Sequence, residues 1–272
     1  MPSIGWEASG FLRIFRSFCL LIVWWSVATS AHSAQDKNFP DAISKIKPSI
    51  VGVGTYQATR SPAFQFSGTG FAVGDGTLIA TNSHVVDKIL DEEKKETLSI
   101  AIPHRGGDTV LRSASVAARD TEHDLVLLRV QGAPLPAASI GDSNGVREGQ
   151  LFGIIGFPLG GLLGLYPTTH RAMVSTITPV VLPQRSARQL DSHVVSRMRT
   201  SGFDVFQLDA TAYPGSSGSP LFDPDSGEVV AIVNMVFVKS TREAALAHPT
   251  GITYAIPAAF LRALLTRTAA AR

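Results

Sequence analysis

The sequence predicts an all-β protein made of two β subdomains, on three observations. From Ile43 onward, short apolar or β-branched runs alternate with turn residues; two of these runs are joined by a tight-turn signal; and a stretch rich in Gly, Pro and Ser divides the runs into two sets. The 272 residues, 44% hydrophobic and 17% charged, have the composition of a folded globular protein able to bury its own core.

The first set reads "SIVGVGTY", "GTGFAV", "GTLIATN", "TLSIAI" and "DLVLLRV". In "FAVGDGTLIA", Asp75-Gly76 separates two runs, and glycine supplies the positive φ that a hairpin turn demands. The stretch "PLPAASIGDSNGVREG" follows, and the boundary falls between Gly132 and Ser143, so that residues 35–135 form one half and 136–272 the other. The second set reads "QLFGIIGFP", "RAMVSTITPVVL", "FDVFQLDAT", "SPLFD", "GEVVAIVNMVFV" and "GITYAIP". Neither set has helical periodicity. Helix is expected in "SHVVDKILDEEKKE", where Ser83 is a cap candidate, and in "PAAFLRALLTRTAAA". The latter opens on Pro257 at a first-turn position and carries Phe260, Leu261, Leu264 and Leu265 at helical spacing, which reads as a terminal helix packed on the body.

The first residues follow another logic. Arg13 and Arg16 precede "SFCLLIVWWSVATSA", an apolar run shorter than the roughly 20 residues that cross a bilayer. Residues 1–34 read as a secretory signal peptide, cut after Ala31, with Thr29 in the third place before the cut, or after Ala34, with His32 there. An uncleaved anchor is the competing reading. The expected destination is the periplasm or the cell exterior, with no stable membrane insertion once the signal is removed. Cys19, the only cysteine, lies in this segment, so the mature chain has no disulfide framework. The net charge of +2 is small, and the arginines of "PQRSARQLDSHVVSRMR" lack interleaved aromatics; they read as a solvated loop, and nucleic acid is not an expected partner.

The stretch "AYPGSSGSPLF" holds three serines among glycines. A hydroxyl is a poor nucleophile at neutral pH, so a catalytic serine needs a base, a group to orient that base, and N–H donors for the oxyanion. Gly215 can turn its own N–H and that of Ser217 into one concavity, with the Ser216 N–H between them, and Gly218 lets substrate backbone come close. Ser217 is therefore the candidate nucleophile. Among His32, His84, His104, His123, His170, His193 and His248, only His84 lies where a strand-like run, "TLIATN", passes into a short helix. That junction holds a ring rigidly and leaves its edge open. Asp124 opens the apolar run of "TEHDLVLLRV", a costly place for a charge without a partner, and His123 beside it would point the opposite way.

With these residues in the order His, Asp, Ser, the sequence resembles a chymotrypsin-fold, trypsin-like serine protease, and more narrowly the protease domain of the bacterial HtrA/Deg group. The matching pieces are "GTGFAV" with "LIATNSHVV", "HDLVLLRV", "IGDSNGVREGQLFGIIGFPLG", "QLDATAYPGSSGSPLFD" and "GEVVAIVNM", in the family's order over Ser67 to Met235. The resemblance implies two antiparallel six-stranded β-barrels with a C-terminal helix. It implies His84 as general base, Asp124 as the acid that orients it, Ser217 as nucleophile, and Gly215, Ser216 and Ser217 around the oxyanion hole. It sets the substrate pocket near Ala210, Thr211, Ala212, Val233, Asn234 and Met235, where no acidic residue stands, so small or medium apolar side chains are expected before the cleaved bond. Ser216 stands where zymogen-activated relatives carry an Asp, which argues against that activation route. The 37 residues after Met235 are too few for a PDZ domain, so a lone protease domain is expected. The loop over residues 159–202 is longer than the resemblance implies.

The function expected is an exported serine endopeptidase acting on proteins or peptides through an acyl-enzyme, with no cofactor and no metal, since no H-E-x-x-H spacing occurs. A homo-oligomer is left open. An α/β-hydrolase is disfavoured because Ser219 replaces the last glycine of its elbow and no helix pattern follows. The reading from another class is a catalytically silent binding or chaperone-like scaffold on the same fold.

Overall fold

Strand pairing in the computed structural model, which describes residues 34–104, 109–179, 202–211, 213–234 and 252–271, closes two rings of antiparallel strands. The first ring comprises β1 (Ile50–Tyr56), β2 (Phe64–Val73), β3 (Leu78–Asn82), β4 (Thr97–Pro103), β5 (Thr109–Asp120) and β6 (Leu125–Val130), in the order β1-β2-β3-β6-β5-β4. The second comprises β7 (Leu151–Gly156), β8 (Thr168–Pro179), β9 (Asp204–Asp209), β10 (Pro220–Phe222), β11 (Val229–Asn234) and β12 (Ile252–Pro257). Its order, β7-β8-β9-β12-β11-β10, repeats that of the first. Closure leaves no free sheet edge within either ring. Both rings lie in one unit that begins at Ala42.

Each barrel is filled by the inward residues of its strands. Val51, Val53, Ile79, Ile100, Val126 and Leu128 form the first core, and Phe152, Val174, Leu208, Leu221, Ala231 and Val233 the second. The Asp75-Gly76 hairpin forms as the sequence predicts: Gly74 and Gly76 have φ of 63° and 81°, and Asp75 Oδ1 accepts from both the N–H and the hydroxyl of Thr77. All eleven strand-like runs of the sequence contribute to strands. The twelfth strand, β5, gives no such signal, because "TVLRSASVAARD" is rich in Ala, Ser and Arg and largely solvent-facing. Its conformation is imposed by ladders to β4 on one side and β6 on the other.

Three helices accompany the barrels among the described residues. The sequence reading missed α1 (Ala34–Ile46), whose pattern is interrupted by Pro40. The short α2 (Gly160–Leu163) lies between β7 and β8, and α3 (Ala258–Ala270) is the expected terminal helix, starting after Pro257 and burying Ala258, Leu261, Leu264 and Thr268. The helix expected from Ser83 is a correction. Only a 3₁₀ turn forms, at Ser83–Val85, and the charged stretch beyond it folds instead around one buried carboxylate. Glu96 accepts from Thr55 Oγ1, Arg60 Nη1 and Lys88 Nζ, each at 2.6 Å, and from the Asp91 N–H at 3.1 Å. These bonds, that from Lys88 foremost, hold the Glu96 carboxyl well below the usual range although burial pushes it up. A continuous helix would point these charges outward and leave Glu96 alone in an apolar place.

No helix among the described residues is long and apolar enough to cross a membrane. The signal-peptide reading, including Cys19 and the cut at Ala31, and most of the loop after residue 179 fall outside the described residues.

Candidate active site

Register brings His84 and Asp124 together. β3 and β6 are paired neighbours in which Asn82 faces Leu125, so the residues just beyond that pair, Ser83-His84 and Asp124, emerge side by side. The Ser83 N–H donates to the Asp124 carbonyl at 2.9 Å and extends the ladder by one step. Asp124 has a φ of 51°, a left-handed conformation that a short polar residue tolerates, and this turns its carboxylate back toward the 3₁₀ turn.

The carboxylate then grips His84 at two points. Asp124 Oδ1 accepts from the His84 backbone N–H at 2.9 Å, and Oδ2 lies 2.6 Å from His84 Nδ1. A carboxylate partner requires Nδ1 to carry the hydrogen, which leaves Nε2 as the bare, proton-accepting nitrogen. The His84 side chain retains 27% of its exposure, so the ring edge is reachable. His123 points away, as alternation along the chain predicts: its ring bonds Asp120 Oδ1 at 2.9 Å and stacks on Phe260 of α3 at 3.8 Å.

Two amides complete the setting of Asp124; sequence reasoning passed over Asn82 and set Asn234 near the substrate pocket instead. Asn234, at the end of β11, is fully buried and donates Nδ2–H to Asp124 Oδ2 at 2.7 Å. Asn82 donates to the Asp124 carbonyl at 3.2 Å. The signal for both was positional: each is an amide that closes a fully buried strand.

Ser217 lies in the β9–β10 connection, held by backbone rather than by side-chain charge. Gly215 and Gly218 have φ of 100° and 85°. The Ser216 N–H donates to the Tyr213 carbonyl at 2.9 Å, so that donor, between the other two, is already committed. Neither the Gly215 nor the Ser217 N–H has a hydrogen-bond partner among the described residues. The loop has no slack: a Cβ on Gly218 would stand 2.0 Å from the Thr69 carbonyl oxygen, and one on Gly215 would stand 2.4 Å from that of Phe157.

Thr69, on β2 of the first barrel, fastens this loop of the second. Its N–H donates to the Ser217 carbonyl at 2.9 Å, its hydroxyl donates to the Gly215 carbonyl at 2.7 Å, and the same hydroxyl accepts from the Phe157 N–H at 3.1 Å. Two further links bring the serine toward the His84–Asp124 pair. Gly68 fits where a Cβ would come within 3.0 Å of the Ser217 carbonyl oxygen and 2.8 Å of Val85, the residue after His84. The Gly218 N–H donates to the carbonyl of Val233, the neighbour of Asn234, at 2.9 Å. The Ser217 hydroxyl itself makes no hydrogen bond among the described residues, and the residue is 6% exposed.

The residues expected around a substrate pocket divide. Ala210 is half-buried and Thr211 exposed. Val233 is instead packed in the core of the second barrel, because it faces inward in step with Ala231, and Asn234 is turned onto Asp124. Ala212 and Met235 lie outside the described residues. No group of three His, Cys, Asp or Glu side chains able to hold a metal forms among the described residues.

Comparison with known proteins places the fold among trypsin-like peptidases. The model of the trypsin-like peptidase domain matches residues 68–232. Human serine protease HTRA3 is 29% identical over 83% of this chain and 44% of its own length. The probable periplasmic serine endoprotease DegP-like of Marinomonas sp. (strain MWYL1) is 24% identical over 90% of this chain and 53% of its own. The chain thus spans about half the length of these curated relatives. Among solved structures, HtrA-type protease AlgW with a tripeptide superposes with a TM-score of 0.58 at 23% identity, covering 84% of this chain and 62% of that one, a likeness of fold.

Proposed function

Because the chain belongs to the trypsin-like peptidase domain family, we propose that it is a serine endopeptidase in which Ser217 is the nucleophile, His84 the general base and Asp124 the group that fixes the imidazole. The observation that carries the reading is the two-point grip of Asp124 on His84, which keeps the ring hydrogen on Nδ1 and leaves Nε2 as the proton acceptor. As the Ser217 oxygen bonds to the peptide carbonyl carbon, its proton passes to His84 Nε2, and the carbonyl electron pair moves onto oxygen. The N–H groups of Gly215 and Ser217 receive that oxyanion, while the Ser216 N–H stays on Tyr213. The tetrahedral intermediate collapses, the C–N bond breaks, and His84 returns the proton to the departing amine. Water then attacks the acyl-enzyme with His84 again as base, releasing the acid and free Ser217.

The substrates are proteins or peptides with small or medium apolar residues before the cleaved bond, since Ala210 and Thr211 offer no charge. The signal-like residues 1–34 support export across the inner membrane. The second reading, a silent scaffold, is favoured by one observation: the Ser217 hydroxyl has no hydrogen bond to His84 among the described residues. Catalytic hydrogen bonds often tighten only with substrate bound, which favours the enzyme. A fluorophosphonate probe decides. An adduct on Ser217 of the folded chain, absent from Ser217→Ala, together with cleavage in a peptide library, is the expected result. A folded chain that takes no adduct and cleaves nothing would leave the scaffold.

A further inference from the structure

A groove of about 340 Å³, lined by neither Ser217 nor His84, runs between β5, the end of β6 and the last turns of α3. Arg119, Arg129 and Arg267 reach it from three different elements, over a lining that includes Ala117, Ala118 and Leu264. Two of the guanidinium groups are preset. Arg119 Nη1 donates to Ser83 Oγ at 2.6 Å and pairs with Asp87, and Arg267 Nη2 donates to Asp120 Oδ2 at 2.9 Å. Arg129 is half-buried on β6, and its side chain has no hydrogen bond or ion pair among the described residues. A guanidinium that lines a groove with no anion partner keeps its planar fork of donors available to a ligand.

We propose that this groove binds a singly charged carboxylate carried on a short aliphatic chain. Arg129 supplies the unmatched charge and a planar pair of donors, Arg119 and Arg267 flank it, and the alanines and Leu264 receive the alkyl part. A dianion fits less well. Asp87 and Asp120 stand behind two of the arginines, and the carbonyl end of α3 adds partial negative charge, so one charge is balanced and a second is repelled. Neither Ser217 nor His84 takes part, and an inert enzyme would bind equally well.

The test is calorimetric titration of the full chain with hexanoate, hexanamide and inorganic phosphate. Hexanoate binds, hexanamide and phosphate bind at least about tenfold more weakly, and Arg129→Gln weakens hexanoate by about tenfold or more at unchanged melting temperature. On the native chain, hexanoate shifts the amide resonances of Ala117, Ala118 and Ala271. Equal binding of the amide or of phosphate, full affinity in the Arg129 variant, no binding of hexanoate, or shifts centred on another surface would each overturn the proposal.

Discussion

Around His84 the first barrel relies on side-chain hydrogen bonds, whereas around Ser217 the second relies on backbone. Asp124 meets His84 at two atoms and draws a third bond from Asn234, so the acid–base pair is fixed by partners that can be removed one at a time. The serine loop is fixed by glycines in left-handed conformations and by carbonyls packed against them, with Thr69 as its main side-chain fastening. The difference teaches where each half is tolerant. The pair degrades by degrees when a partner goes, and the loop fails when any atom is added.

The largest effect tests whether the two halves act as one machine. Ser217→Ala and His84→Ala are each expected to lower kcat by about a millionfold, and the double variant by little more. Additive losses on a peptide substrate would separate the residues. The next tests the rigid half. Gly218→Ala combines a φ of 85° with a Cβ placed 2.0 Å from the Thr69 oxygen, and is expected to cost at least about 3 kcal/mol and to lower the melting temperature by several degrees. A melting curve matching the native one would show that the loop yields.

The tolerant half should respond less. Asn234→Ala removes one charge-assisted bond from Asp124 and is expected to lower kcat about ten- to a hundredfold with KM little changed. A change confined to KM would make Asn234 a pocket residue after all. The smallest effect concerns the loop after His84. The Glu96 carboxyl titrates below its ordinary value of 4.5, so its stabilising share is complete above that pH and is lost as the pH falls through the folded value. Glu96→Gln is therefore less stable at neutral pH, and its gap to the native chain narrows below about pH 4.5 in acid unfolding. A gap constant down to pH 3 would be the contrary result.

Much of this was legible because strands announce their ends. The largely apolar runs "LIATN" and "DLVLLRV" have polar residues at their borders, His84 just after the first and Asp124 at the start of the second. The barrels follow from runs that alternate with turns. What stayed hidden depends on register or on ladders. β5 is a strand only because two neighbours pair with it, and Thr69 and Asn234 gain their parts from atoms more than a hundred residues away, as the bonds from Thr69 to Gly215 and from Asn234 to Asp124 record. The stretch after Ser83 carries residues that also suit a helix, and only the buried place of Glu96 decides against one.

One threonine has a reach larger than its size. Thr69 belongs to the half of the chain made first, and the loop it fastens belongs to the half made last. A ribosome-bound or proteolysed fragment that contains either half alone lacks that clasp, so fragments should be inert until they find one another.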